Sequence, residues 1–151
     1  MVSLPFASGA WVYLDTNVFI YLVEATEYAN LRDVVEVLFA AADTGEIEVV
    51  TSALTLGELL PAPLRVGADD LVRAYRELFT EPSQLEITPV ILPIIDAAAV
   101  IQSQTKTKLP DALHVASAIA SGCTVFATND KGIRLPDGLP LTIEILSEMS
   151  A

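Results

Sequence analysis

Four carboxylates stand out in this sequence because of where they fall. Asp15 ends the apolar run Trp11-Val12-Tyr13-Leu14, and Asp130 follows the run Val125-Phe126-Ala127 by three residues. Glu58 interrupts the largely apolar stretch from Ala53 to Leu60, and Asp111 opens a stretch, Ala112 to Asn129, without Asp, Glu, Lys or Arg. A carboxylate beside a core-facing run is costly to bury unless it is paired or binds a cation. In the sequence only Lys131 adjoins one of the four, Asp130. Gathered together, such groups repel one another and call for a hard cation, Mg²⁺ or Mn²⁺. Two such ions about 3.5–4 Å apart activate a water and stabilise the leaving oxygen of a phosphodiester, with no side chain acting as nucleophile. Singly, each residue has an ordinary role. Asp15 and Asp130 suit helix or loop caps, Asp111 complements a helix dipole, and Glu58 suits a solvent face. The chemical reading rests on the set.

The elements that must bring these groups together can be read from periodicity. Trp11–Leu14 is a short strand, followed by a helix from Val18 to Ala25 that Thr16 or Asn17 could cap. Leu31, Val34, Val35, Leu38 and Phe39 recur at helical spacing up to the stop Asp43-Thr44-Gly45. Glu46–Thr51 reads as a second strand. Ser52 can cap a helix from Ala53 to about Leu60, which Pro61 and Pro63 end. Asp69–Phe79 is amphipathic, with Leu71, Val72, Tyr75 and Leu78 inward, and Leu85–Ile87 is a third strand. A helix covers Leu92–Ser103, and Pro110 suits the first turn of another that runs to Ser121. Thr124–Ala127 is a fourth strand and Leu141–Leu146 a fifth. Short apolar strands alternating with helices define an α/β fold with a parallel five-stranded sheet flanked by helices on both faces. Residues 1–10 read as a short, frayed lead-in and residues 11–151 as one domain. In such sheets ligands bind at the carboxyl ends of the strands, where Asp15 and Asp130 fall.

Composition narrows the function further. The 151 residues are 52 % hydrophobic and 19 % charged, which excludes disorder, and no uninterrupted apolar span is long enough for a membrane helix. Eight basic residues against 20 acidic give a net charge of −12. A field of that sign disfavours passive coating of nucleic acid but not an enzyme that reaches a phosphodiester through bound cations. Cys123 is the only cysteine, so no disulfide or thiolate cluster forms within one chain. That usage, and the lack of a basic leader, fit the cytoplasm.

The segments Leu14-Asp15-Thr16-Asn17, Leu56-Gly57-Glu58-Leu59, Leu109-Pro110-Asp111-Ala112-Leu113-His114 and Ala127-Thr128-Asn129-Asp130 resemble, in order, the acidic motifs of the PIN-domain family, and most of all VapC-type toxin ribonucleases. The resemblance runs from about Trp11 to Ile145. It implies metal-dependent cleavage of RNA to 5′-phosphate and 3′-hydroxyl ends. Asp15, Glu58, Asp111 and Asp130 would be the catalytic metal ligands, and Thr16, Asn17, Thr128 and Asn129 would shape the pocket. It also implies a homodimer and a cognate antitoxin protein that holds the toxin inactive. Two positions depart from the pattern. Gln102 stands where relatives often carry Arg, and Ile133 where an aromatic commonly follows the last acidic motif.

His114, one turn after Asp111, reads as a packed histidine donating to a neighbour, and Cys123 as a small core residue. Asp69, Asp70, Glu24, Glu27 and Glu36 read as solvated faces or caps. Two rival functions remain: a non-catalytic PIN-like scaffold, and a receiver-type phosphoacceptor domain, for which an acidic pair after a strand is missing. A phosphatase with an Asp-x-Asp motif fails because Asn17 occupies the second position. Two further expectations can be compared with the structure. Crowded carboxylates should raise at least one pKa, and Glu58→Gln should then leave the metal-free chain as stable or more so. The apolar excess should lie on the helices Val18–Ala25 and Leu31–Phe39, as surface for a partner.

Overall fold

The computed structural model describes residues 2–24 and 29–149. The chain order is β1 (Trp11–Leu14), α1 (Thr16–Val23), α2 (Ala29–Asp43), β2 (Glu48–Ser52), α3 (Ala53–Leu59), α4 (Pro61–Arg65), α5 (Asp69–Thr80), β3 (Leu85–Thr88), α6 (Leu92–Gln104), α7 (Leu109–Ala120), β4 (Val125–Thr128), β5 (Thr142–Ile145) and α8 (Leu146–Met149). All five strands form one parallel sheet in the order β3-β2-β1-β4-β5. β1 lies at the centre, with Val12 opposite both Val49 and Val125. The receiver-type order is 2-1-3-4-5. This sheet is wound differently, and that rival reading falls.

The period-2 alternation of strand side chains divides the core in two. Val12, Leu14, Val49, Val125 and Ala127 meet Val18, Phe19, Val34, Val35, Leu38, Tyr75 and Leu146 on one face. Tyr13, Val50 and Phe126 face the other way, against Ile94, Ala98, Ile101, Ala112, Val115 and Ala116 from α6 and α7. Tyr13 stacks on Phe126 with ring centroids 5.3 Å apart. Each fully buried Leu, Val or Phe contributes about 1.5–3 kcal/mol. Gly45 and Gly122 adopt positive φ (79° and 78°) just past α2 and α7, where a side chain would be strained. Among the described residues no helix is long and apolar enough to cross a membrane.

The apolar residues of α1 and α2 divide between core and surface, with Ile20, Tyr21, Leu22, Val23 and Phe39 only partly buried. Leu31, Val34, Val35 and Leu38 are core, as are Val18 and Phe19, so the inner faces of α1 and α2 are already covered by this chain. Among the described residues the exposed large apolar side chains are Ile91, Leu92, Ile95 and Val100 around α6, Leu109 at the start of α7, Leu64 and Val66 around α4, and Trp11 at the start of β1. The lead-in is not frayed over its described residues. Val2, Leu4 and Phe6 pack partly buried on the first core, and the Gly9 amide donates to the Glu46 carbonyl at 2.7 Å.

Other differences are local. α1 starts two residues early because Asp15, rather than Thr16 or Asn17, is its N-cap, and Ala25 and Glu27 lie outside the described residues. Ser52 occupies the N-cap of α3 without a capping hydrogen bond. Pro61 does more than end α3. It opens the short helix α4, because a proline at the first position lacks only an amide that no helical bond would use. β2 starts at Glu48 because the amides of Glu46 and Ile47 still cap α2 through the Ala41 carbonyl.

Candidate active site

The order of the sheet reverses beside β1: β2 lies on one side and β4 on the other, reached only after the crossover through α6 and α7. The carboxyl ends of β1 and β4 flank this point, where open α/β sheets bind ligands. Asp15 is the first residue beyond β1. Its amide continues the ladder to the Ala127 carbonyl at 3.0 Å, so backbone pairing fixes its position. Asp15 is buried, its side chain only 9 % exposed, and both carboxylate oxygens are held. Oδ1 accepts from the Thr16 amide at 2.8 Å and Oδ2 from the Thr128 hydroxyl at 2.7 Å.

Thr128, the last residue of β4, links the two strand ends. Its hydroxyl donates to Asp15 and accepts from the Asn17 amide group at 3.2 Å and the Asp130 backbone amide at 3.0 Å. Asn17 Oδ1 in turn accepts from the Asn129 amide, and Asn129 Oδ1 accepts from the Ser147 amide at the start of α8. Asn17, Thr128 and Asn129, three of the four residues expected to shape a pocket, therefore clamp α1, β4 and α8 together, while the fourth, Thr16, reaches Glu58 on α3.

Glu58 comes from α3, after β2, and its side chain remains one-third exposed. Oε1 accepts from the Thr16 hydroxyl at 2.7 Å and lies 2.5 Å from His114 Nε2. The His114 bond, ahead of that from Thr16, holds the Glu58 carboxyl below its ordinary pKa and outweighs its partial burial. An ionised carboxylate only accepts, so Nε2 carries the hydrogen. Nδ1 of the same ring lies 2.7 Å from the Tyr13 hydroxyl, which donates to Ser52 Oγ at 3.0 Å. Tyr13, Ser52 and His114 are fully buried. Burial raises the Tyr13 phenol well above its ordinary pKa, so it stays neutral.

His114 is thus the packed, donating histidine that the sequence suggested, and its acceptor is one of the four acids. Tyr13 and Ser52 escaped the sequence reading. Tyr13 was legible in part as the one polar-tipped side chain in the run Val12–Leu14, pointing to the face opposite its neighbours.

Asp111, in the first turn of α7, is half-buried and has no side-chain hydrogen bond among the described residues. Burial raises its pKa, and the charges of Asp15, Asp130 and Glu58 raise it further, against a smaller opposing effect of His114. The pKa of the half-buried Asp111 thus registers all three other acids. Asp130 is exposed, and its Oδ1 accepts from the Gly132 amide in a tight turn at 2.8 Å. Crowding does raise one carboxylate, but it is Asp111. Glu58 is instead favoured in its charged form by its hydrogen bonds to His114 and Thr16, which argues for a cost of Glu58→Gln in the metal-free chain.

Asp70 and Glu36 pair on the surface with Arg73 and Arg32, as expected of controls. Glu24 is more than solvated, because it caps α1 and accepts a very short hydrogen bond from the buried Tyr75 hydroxyl.

No Lys or Arg forms an ion pair with Asp15, Glu58, Asp111 or Asp130 among the described residues, and no group of three acidic, His or Cys side chains there is already arranged to hold a metal. The donor set, all hard oxygen with uncompensated charge, suits Mg²⁺ or Mn²⁺. Asp15 and Glu58 are held by hydrogen bonds from other elements, whereas Asp130 is held only within its own turn and Asp111 has no side-chain hydrogen bond among the described residues.

A parallel sheet of this order with acids at its switch point defines a class, and comparison with known proteins agrees. The PIN-domain family model matches residues 12–139, and the chain belongs to the PIN-domain family. No curated protein matches the sequence. Among solved structures, the fold is similar to VapBC2 from Rickettsia felis bound to a DNA fragment from its promoter (TM-score 0.69, 18 % identity, 89 % of this chain and 98 % of that one). It is similar to a toxin-antitoxin complex from Klebsiella pneumoniae (TM-score 0.60, 17 % identity, 80 % and 88 %). It is also similar to VapC20 from Mycobacterium tuberculosis, a sarcin-ricin loop cleaving toxin (TM-score 0.61, 18 % identity, 76 % and 86 %).

Proposed function

We propose that this PIN domain is a cytoplasmic, Mg²⁺- or Mn²⁺-dependent endoribonuclease and the toxin of a type II toxin–antitoxin pair. The observation that carries this reading is Asp111. It lies half-buried near Asp15, Asp130 and Glu58, whose charges add to burial in raising its pKa; Thr16 bonds both Asp15 and Glu58, and no Lys or Arg forms an ion pair with any of the four among the described residues. The family supports nuclease chemistry, and the three structural neighbours support the toxin assignment, a cognate antitoxin and an RNA substrate. Asp15, Glu58, Asp111 and Asp130 would hold the metal, which would activate a water and neutralise charge at the phosphate. Thr128 and the Thr16 amide keep Asp15 oriented. His114 and the Thr16 hydroxyl do the same for Glu58. No residue of the chain acts as nucleophile. A homodimer would form through apolar surface such as that around α6.

The test combines two measurements. Induced expression should arrest growth, and purified protein should cleave RNA with Mg²⁺ or Mn²⁺ but not in chelator, with both effects lost in Asp15→Asn. Co-expression with the neighbouring small open reading frame should yield an inactive complex. A wild-type protein that binds a partner but never cleaves RNA would instead be a non-catalytic scaffold.

A further inference from the structure

The eight cations of this acidic chain are not evenly spread. Arg32 and Arg73 pair with acids on α2 and α5. Lys106, Lys108, Lys131 and Arg134 lie on just two loops, those entering α7 and leaving β4, and all four are exposed. None of the four forms an ion pair among the described residues. Both loops border the acids, since Lys108 is the N-cap of α7, one turn before Asp111, and Lys131 follows Asp130.

One hydrogen bond joins the two loops, and further contacts brace each of them. The Thr107 hydroxyl, between the two lysines, donates to the Arg134 carbonyl at 3.1 Å. Gln102 reaches from α6 and donates to the Thr107 carbonyl at 3.2 Å. Ile133 is buried in the second core beneath the other loop, and Arg134 curls its guanidinium onto the Lys131 and Ile133 carbonyls, leaving further donors to solvent. Both departures from the family pattern therefore have a structural role here. Gln102 braces the lysine loop, and Ile133 anchors the turn between Lys131 and Arg134.

We propose that Lys106, Lys108, Lys131 and Arg134 form a phosphate-binding ledge along which the RNA backbone enters the acidic pocket. In a chain of net charge −12 a polyanion approaches only where positive charge is concentrated. Unpaired cations bind phosphate without first breaking an ion pair. Flexible side chains on braced loops suit a backbone, which is recognised by charge rather than by base edges. This assignment rests on the ribonuclease reading for its substrate.

The test is binding of a fluorescent single-stranded RNA, followed by anisotropy in Ca²⁺ at several salt concentrations, alongside KM and kcat for cleavage in Mg²⁺. Lys106→Ala/Lys108→Ala and Lys131→Ala should each raise Kd several-fold. They should also flatten the dependence of log Kd on log salt by about 0.7 for each phosphate that is no longer neutralised. KM should rise in parallel while kcat holds. Gln102→Ala should give a smaller rise in KM with the charge unchanged. Arg73→Ala, which removes one charge from α5, should alter neither Kd nor slope. Equal effects of Arg73→Ala and the loop variants would reduce the ledge to a net-charge effect and overturn the proposal. Unchanged Kd and slope in the loop variants would overturn it too, even if they lost affinity for an acidic protein segment. Binding is read without turnover, so a wild type that fails to cleave RNA sinks the ribonuclease reading and leaves the ledge to be decided by Kd.

Discussion

The two halves of the acidic pocket are built on opposite principles. Asp15 and Glu58 are gripped: their hydrogen bonds come from donors on β4, α1 and α7, and behind His114 stand Tyr13 and Ser52. Asp111 and Asp130 are loose, one without a side-chain bond among the described residues and the other held only within its own turn. The gripped half has donors aimed at its oxygens. In the loose half, burial and then the charges of the other acids raise the pKa of Asp111. A site built this way pre-orients half of its ligands and leaves the other half free to respond to a cation.

The largest effect should come from breaking the gripped half at its centre. Asp15→Asn should lower metal-dependent RNA cleavage by more than the roughly 10–100-fold that loss of an outer hydrogen-bond partner costs. Next in size is the buried support. Tyr13→Phe leaves His114 Nδ1 and Ser52 Oγ without their shared partner, and should lower unfolding free energy by about 1–3 kcal/mol in a urea titration. Cleavage should fall with it, because Glu58 loses its oriented donor. A variant of wild-type stability would show that water replaces the phenol.

Opposite pH dependence at Asp111 and Glu58 sharpens the contrast. Folded Asp111 has a raised pKa, so the folded chain holds its proton longer than the unfolded one. Its contribution is therefore favourable below the unfolded pKa and is lost as pH rises through the folded value. Glu58 has a lowered pKa, so its contribution is present above the unfolded pKa and is lost as pH falls through the folded one. In metal-free protein, Asp111→Asn should abolish the loss on raising pH and increase the urea midpoint near neutrality. Glu58→Gln should decrease it. The same sign in both would erase the distinction. The smallest effect is the control: Mg²⁺ should raise the melting temperature by binding only the folded state. Asp111→Asn should reduce that shift, and Asp69→Asn should leave it unchanged.

Much of this was legible in the sequence. β1 matched Trp11–Leu14, α7 lay where Pro110 placed it, and the motif order put Asp15 and Asp130 near strand ends and Asp111 at a helix start. What could not be read were bonds between residues far apart in the chain. Whether Glu58 is strained or supported depends on a ring 56 residues later. The cap of α1 was misassigned because Asp15, Thr16 and Asn17 are all good caps, and Asn17 is taken up by Thr128 and Asn129 instead. The fate of the apolar faces of α1 and α2 depended on how helices pack over the sheet, which periodicity alone leaves open.

The sheet order also governs when the pocket can exist. β1 is made first, yet its neighbour β4 follows more than a hundred residues later, and the bond between Thr128 and Asp15 spans 113 positions. Contacts of such separation cost loop-closure entropy before they stabilise anything, and they form slowly. On the ribosome, Asp15 therefore waits as an uncompleted strand end until Val125–Thr128 has emerged and inserted beside β1. Whatever chemistry the pocket performs, a partly synthesised chain cannot perform it.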